Sequence, residues 1–251
     1  MARSQTSAFV LRTVDYGENH VIVHLLGRQS GRISAIAYGA RSSRRRFSGC
    51  LEPLRVVEAT VRPPKSGDLY RLDEMDVTED FPGIEERLET LTAAGYATEL
   101  TRETWREGAV ADRIFDLLLQ FHRHLPNCST EAAVTRLIHQ FEYRLLDLYG
   151  LAPAIHHCGR CGAAPESMEK LRFSRGGEGL ICPKCRRRDD TVGIITTETL
   201  QLLHHLADPD CPLPDAELDA PLAQAGRVLQ NAVDHLVERP LNSRQMLRLL
   251  L

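Results

Sequence analysis

Over the first eighty residues apolar and polar positions alternate with a period of two, and no helical periodicity is present. The alternation predicts five strands, at 8–14, 21–26, 32–38, 54–61 and 69–77. The turns Tyr16-Gly-Glu-Asn, Gly27-Arg-Gln-Ser-Gly and Pro63-Pro-Lys-Ser-Gly-Asp are rich in residues that favour turn geometry. Five short antiparallel strands with close turns suit a Greek-key barrel of the OB type, with an SH3-like barrel as the competitor.

From about Phe81 the apolar period changes to 3.6. Ile84, Leu88, Leu91, Tyr96 and Leu100 mark one helix, and Val110, Ile114, Leu117, Leu118 and Phe121 mark a second that stops before Pro126. A third carries Val134, Leu137, Ile138, Phe141, Leu145 and Leu148, with Ser129 or Thr130 as its cap, Glu131 in its first turn and Gly150 at its end. Helices resume after residue 195. Thr196 or Thr197 caps a short one, Pro221 suits the first turn of another, and Ser243 is the expected cap of the last.

Between these helical stretches lies Cys158-Gly-Arg-Cys161, followed twenty residues later by Cys182-Pro-Lys-Cys185. Two Cys-x-x-Cys knuckles at this spacing have the ligand pattern of a structural zinc ribbon, with one Zn2+ held by Cys158, Cys161, Cys182 and Cys185. Gly159, Gly162 and Pro183 suit the cramped knuckle turns, and the residues between the knuckles read as two short strands about a Gly-rich turn. Four thiolates leave no open coordination position, so the metal is expected to hold structure and not to perform chemistry. His156 and His157 are bystanders that stand close enough in sequence to replace a thiolate. A redox dithiol is disfavoured, because neither knuckle opens a helix after a buried strand. The fold class is therefore α+β multidomain: an OB-type domain at 1–80, a helical domain at 81–154 and 193–251, and a ribbon inserted at 155–192.

Composition narrows the setting. The 251 residues are 43% hydrophobic with a net charge of −3, and no run reaches the roughly 20 apolar residues of a membrane span. The first residues lack a signal peptide's apolar stretch, and seven cysteines with four in knuckles argue against a disulfide scaffold, so a cytoplasmic protein is expected, nucleoid-associated where it binds DNA. Charge is regional: residues 1–65 hold eleven Arg or Lys against four Asp or Glu, and residues 66–80 hold one against six. Residues 151–195 are again basic, with eight against five. The basic barrel supplies cations for phosphates and aromatic rings for stacking, and its candidate DNA-binding residues are Arg12, Arg28, Arg32, Arg41, Arg44, Arg45, Arg46, Arg55, Tyr38 and Phe47. Arg186, Arg187 and Arg188 beside the second knuckle are a candidate extension.

Catalysis lacks its parts. The chain has no phosphate-cradling Gly-x-x-x-x-Gly-Lys-Ser/Thr loop, no His-Glu-x-x-His pair and no nucleophile elbow. The carboxylates Asp73, Glu74, Asp76, Glu79 and Asp80 are close in sequence, as a metal-dependent nuclease would need, but their expected place is a strand exit and linker. No catalytic residue, small-molecule substrate or membrane partner is expected.

The run Leu11-Arg-Thr-Val-Asp-Tyr-Gly-Glu-Asn-His-Val-Ile-Val, with Gly31-Arg-Ile-Ser-Ala-Ile-Ala-Tyr-Gly-Ala-Arg and the downstream knuckles, resembles the RecO family of bacterial DNA repair proteins. The likeness extends over nearly the whole chain. It implies an N-terminal OB-fold, a helical domain, and a recombination mediator with single- and double-stranded DNA, RecR and single-stranded DNA-binding protein (SSB) as partners. It further implies that the helical domain receives the acidic, apolar C-terminal tail of SSB, for which Arg244, Met246, Leu247, Arg248 and Leu250 on the last helix are the candidates. The competing function is a zinc-ribbon transcription or RNA-binding factor.

Overall fold

The structure is a computed structural model that describes residues 3–43, 45–105, 111–174, 176–215, 217–237 and 239–251. The chain forms two compact units, 1–127 and 128–251.

The first unit holds a closed barrel of five strands: β1 Ser4–Tyr16, β2 His20–Gly27, β3 Gly31–Ala37, β4 Val56–Arg62 and β5 Leu69–Glu79. The strand order around the barrel is β1-β2-β3-β5-β4, with β3 parallel to β5 and the β1–β2, β2–β3, β1–β4 and β4–β5 pairings antiparallel. This is the OB-type barrel expected from the alternation. Its interior is filled by one face of each strand, including Ala8, Val10, Val23, Leu25, Ile33, Val57, Val61, Leu72 and Met75. β4 begins two residues later than the pattern predicts, because Leu54 has φ 66° and cannot extend the strand backwards. Where β2 turns into β3, Gly31 has φ 70° and a Cβ there would stand 2.7 Å from the Trp105 ring, so only glycine fits both turn and packing.

The segment between β3 and β4 forms a 3-10 turn at Ala40–Ser42 and then returns across the barrel. Ala40, Phe47 and Cys50 join the core, while Met75 N–H donates to the Arg46 carbonyl at 3.0 Å. Two helices complete this unit, α1 Leu88–Thr104 and α2 Ala111–His124. A 3-10 turn at Ile84–Glu86 precedes α1, and Leu88 and Leu91, expected on its buried stripe, are exposed; the expected Tyr96 and Leu100 are buried there, joined by Ala93, Ala94 and Ala97. Val110 lies outside the described residues.

In the second unit α3 Glu131–Leu148, α4 Thr197–Ala207 and α5 Asp219–Leu236 pack on one another. Thr130 and Thr196 cap α3 and α4 by accepting the N–H of Ala133 and Thr199, and Gly150 follows α3 at φ 68°. α6 Asn242–Leu250 starts one residue before the expected Ser243 cap, and Leu241 in the cap position offers no side-chain acceptor. The ribbon is a sheet of order β7-β6-β8, made of β6 Arg172–Ser174, β7 Gly179–Leu180 and β8 Val192–Ile194. The third strand is an addition to the two that the sequence indicates. It is three residues long and too short to show a period.

Candidate nucleic-acid interface and metal centre

The metal centre is the tighter of the two sites. The sulfurs of Cys158, Cys161, Cys182 and Cys185 all lie within 4.8 Å of one another, with Cys161 and Cys182 Sγ 3.6 Å apart. A tetrahedral zinc with bonds of about 2.3 Å has sulfur–sulfur edges of about 3.8 Å, so the cluster fits a thiolate-bound ion. Burial works to raise the Cys158 thiol, but the N–H groups of Cys182, Arg160 and Cys161 aim at its sulfur and bring it down to about 6. The chain folds to this geometry because Gly179, at φ 90°, lets Ala154 approach: a Cβ there would stand 2.2 Å from the Ala154 nitrogen.

A clamp around the knuckles is visible only in the fold. The Arg160 guanidinium donates to both oxygens of Glu178, both of Asp190 and the carbonyl of Cys185, at 2.7–2.8 Å. It holds the Asp190 carboxyl down at about 2, helped by the Arg187 N–H. These pairs span 18 and 30 residues, a separation no local motif reveals.

On the barrel, the outward rows of β1, β2 and β3 form the second site. A bulge decides its composition. The β1–β2 register shifts between Val10 and Arg12, so Leu11 is an extra residue. Simple alternation from Ala8 and Val10 would turn Arg12, Val14 and Tyr16 inward with them; after the bulge they are exposed and pair with His24, Ile22 and His20. The β2–β3 register then adds Ser34 beside His24 and Arg32 beside Leu26. At one end of the face Tyr16 is 52% exposed and Tyr38 45%, the His20 ring stands edge-on to Tyr38 at 5.2 Å, and Arg71 lies over the Tyr38 ring at 5.6 Å. Tyr16, His24, Ser34 and Arg71 are members that sequence reasoning missed, Tyr16 because the β1 bulge leaves no local signature and the others because pairing between strands brings them to the face.

The predicted cations separate into two groups. Arg12, Arg32 and Arg45 are exposed and make no ion pair among the described residues, and the same holds for Arg186, Arg187 and Arg188 on the ribbon. Arg28 pairs with Asp116 at 2.9 Å and stands over Phe115, Arg41 pairs with Asp15, and Arg55 pairs with Glu52 at 2.6 Å. Arg46 donates to the Tyr38 carbonyl at 2.9 Å. Arg44 lies outside the described residues. Phe47 requires correction as a stacking platform: it is 3% exposed, packed in the barrel core beneath Arg46, and offers no open ring face. The acidic cluster is divided: Asp73 is held by Arg3, Arg62 and Arg71, and Glu79 by Arg123, and most of it lies within β5 and not in a linker. Among the described residues the four cysteines are the one group with metal-binding geometry.

On α6, Leu247 is 8% exposed and faces its own unit, which corrects its place in a partner groove. Met246 at 48% and Leu249 at 78% are the open apolar residues, Leu250 is half-buried, Arg248 is exposed, and Arg244 is paired with Asp234. No helix among the described residues is long and apolar enough to cross a membrane.

Two family models together account for nearly the whole chain: recombination protein O N terminal over residues 1–81 and recombination protein O C terminal over residues 85–245. The chain is 36% identical over 244 residues to the DNA repair protein RecO of Anaeromyxobacter dehalogenans strain 2CP-1, covering 97% of this chain and 94% of that protein. It is 32% identical to the DNA repair protein RecO of Geobacter sulfurreducens, covering 96% of each. With Myxococcus xanthus DNA repair protein RecO the identity is 37% over 185 residues, 74% of this chain and 73% of that one. With both halves of the recombination protein O family model matched, and with these relatives aligned along most of their length, the chain belongs to the RecO family.

Proposed function

We propose that the protein is a non-catalytic DNA repair and recombination mediator that binds single- and double-stranded DNA, promotes strand annealing, and with RecR helps load a recombinase on SSB-coated DNA. The observation that carries the reading is the open barrel face, where Arg12 and Arg32 have no carboxylate partner among the described residues and Tyr16 and Tyr38 expose their rings towards one end. Unpaired guanidiniums give a sequence-independent attraction to phosphates, and exposed rings stack on any base, which suits a mediator that must act wherever DNA is damaged. The ribbon, with Zn2+ as its ion, contributes Arg186, Arg187 and Arg188 as a second cationic strip. The α6 surface of Met246, Leu249 and Arg248 is the place for the SSB tail.

The test is oligonucleotide binding by fluorescence anisotropy across a salt series. Replacing Arg12 and Arg32 together with Ala should weaken binding to all sequences alike and make the single-strand salt slope shallower by about 1.4, the share of two phosphate contacts. An unchanged slope would remove the barrel face from the interface, and a strong preference for one sequence would favour a sequence-reading factor.

A further inference from the structure

At the middle of the same face, His24 lies between Arg12 on β1 and Ser34 on β3 in adjoining register, with Arg32 two residues before Ser34. Its Nδ1 is 3.0 Å from Ser34 Oγ. Burial, then the fields of Arg32, Arg12 and Arg102, hold the ring below its ordinary value. Arg102 approaches from α1 and is itself paired with Glu99 and Glu103, whereas Arg12 and Arg32 have no such partner among the described residues. From β5, Leu69 stands opposite Ser34 and brings no charge, and on α2 the carboxylate of Asp116 is engaged by Arg28. Among the described residues, the cations that act on His24 are therefore Arg12 and Arg32, which make no ion pair, and Arg102, whose charge is offset by Glu99 and Glu103.

A histidine beside two unpaired guanidiniums is a poor arrangement for the free protein and a good one for a bound anion. We propose that His24, Ser34, Arg12 and Arg32 form a proton-coupled subsite for one phosphodiester group, in which His24 takes a proton from solvent as the phosphate docks. The inference rests on the reading of this face as a DNA surface. When the neutral ring carries its hydrogen on Nε2, Nδ1 accepts the Ser34 hydroxyl. Protonation of Nδ1 reverses that bond: Nδ1–H donates to Ser34 Oγ, and the hydroxyl hydrogen is released to donate to the phosphate together with Nε2–H. The anion offsets the arginine field that opposed the proton, so each event favours the other. His20, four residues earlier, is unsuited to this role, since its Nδ1 already accepts the Gly39 N–H at 3.0 Å and a proton there would break that bond.

Linkage fixes the sign. A group whose pKa is higher in the complex than in the free protein makes binding tighter as pH falls through the bound-state value, by up to about tenfold for each unit of difference. The measurement is anisotropy of a labelled oligothymidylate, whose bases and phosphates do not titrate in this range, with the full-length protein between pH 8 and pH 5.5 at constant ionic strength. Affinity should rise on acidification in the native protein and in His20→Gln. In His24→Gln, which keeps a partner for Ser34, the rise should disappear, and in His24→Arg binding should be tight at every pH. NMR titration of the His24 ring should show its pKa increasing when the oligonucleotide is added. A pH dependence that survives His24→Gln, or a ring whose pKa does not move, would overturn the subsite while leaving the DNA face standing if Arg12 and Arg32 still carry the salt slope. Loss of that dependence on the arginines would instead remove the face itself. Sulfate at matched ionic strength separates the sources of the anion: the same movement of the His24 pKa with sulfate as with oligonucleotide would mean a site for free oxyanions and overturn its assignment to DNA.

Discussion

His122 shows how far one residue's chemistry can depart from its place in the sequence. As one of several scattered histidines it carries no motif, yet it is fully buried against the rings of Phe9, Phe81 and Phe121, at centroid distances of 4.8, 5.3 and 5.6 Å. Its Nδ1 is 2.8 Å from the Leu118 carbonyl, and its Nε2 is 3.4 Å from Thr98 Oγ1. Burial pushes its pKa down to about 4, although the Leu118 carbonyl works the other way. The unfolded chain therefore takes up a proton near pH 6.5 that the folded chain refuses until about pH 4. Stability from the neutral ring is complete above pH 6.5 and is lost as pH falls towards 4, by at most about 3 kcal/mol. Denaturant midpoints followed by the single tryptophan should fall between pH 7 and pH 4.5, and His122→Phe should flatten that fall. Equal pH dependence in the two proteins would show that other groups govern acid unfolding.

At the scale of the element, the ribbon and the barrel face were legible to different degrees, for a physical reason. Two thiolates reach one ion from a single tight turn only at a fixed local spacing, so the knuckles could be read directly. Arg160 could not, since its partners Glu178 and Asp190 meet it only after β6 and β7 have formed. The alternation made β1 to β5 legible, because a half-buried strand must alternate, but the bulge at Leu11 breaks the period without a glycine to mark it and reassigns which residues face outward. Phe47 failed in the opposite direction: an aromatic residue in an arginine-rich loop resembles a stacking platform, and only the return of that loop across the barrel buries it. The ribbon's construction leads to two expectations. The protein should retain about one zinc per chain, and Cys158→Ser with Cys182→Ser should remove it and loosen residues around the knuckles, because a small ribbon takes much of its folding energy from the ion. Arg160→Met should keep all four ligands yet release metal to a chromophoric chelator faster, since the Cys185 carbonyl and two carboxylates lose their common anchor. Stoichiometric zinc in the double cysteine variant would refute the site, and unchanged release from Arg160→Met would make the clamp irrelevant to metal retention.

At the scale of the whole molecule, the uneven charge foretold a division of labour more reliably than it foretold which residues perform it. The basic N-terminal stretch became the open barrel face, while the acidic stretch at 196–251 became helices whose exposed cations are few. An acidic surface repels DNA, so protein partners are the fitting use of the helices at 196–251, and the two functions should separate by mutation. The structure changes how that separation is best tested. Arg244 already neutralises Asp234, so a glutamate there would set two carboxylates against each other and disturb α6 whether or not a partner binds. Leu247 is packed inside and is equally uninformative. Met246 and Leu249 lie three apart on one side of α6 and are open, and Arg248 is exposed about a quarter-turn round from Leu249, so Met246→Ser, Leu249→Ser and Arg248→Glu change the surface alone. The triple variant should melt within a few degrees of the native protein and bind oligonucleotides as before. Its affinity for a peptide bearing the acidic, apolar tail of SSB should fall by about tenfold or more, because an apolar contact and a charge-assisted pair are lost together. Full peptide affinity in a folded triple variant would move the partner site off α6, and parallel loss of DNA binding would contradict the division between the barrel face and these helices.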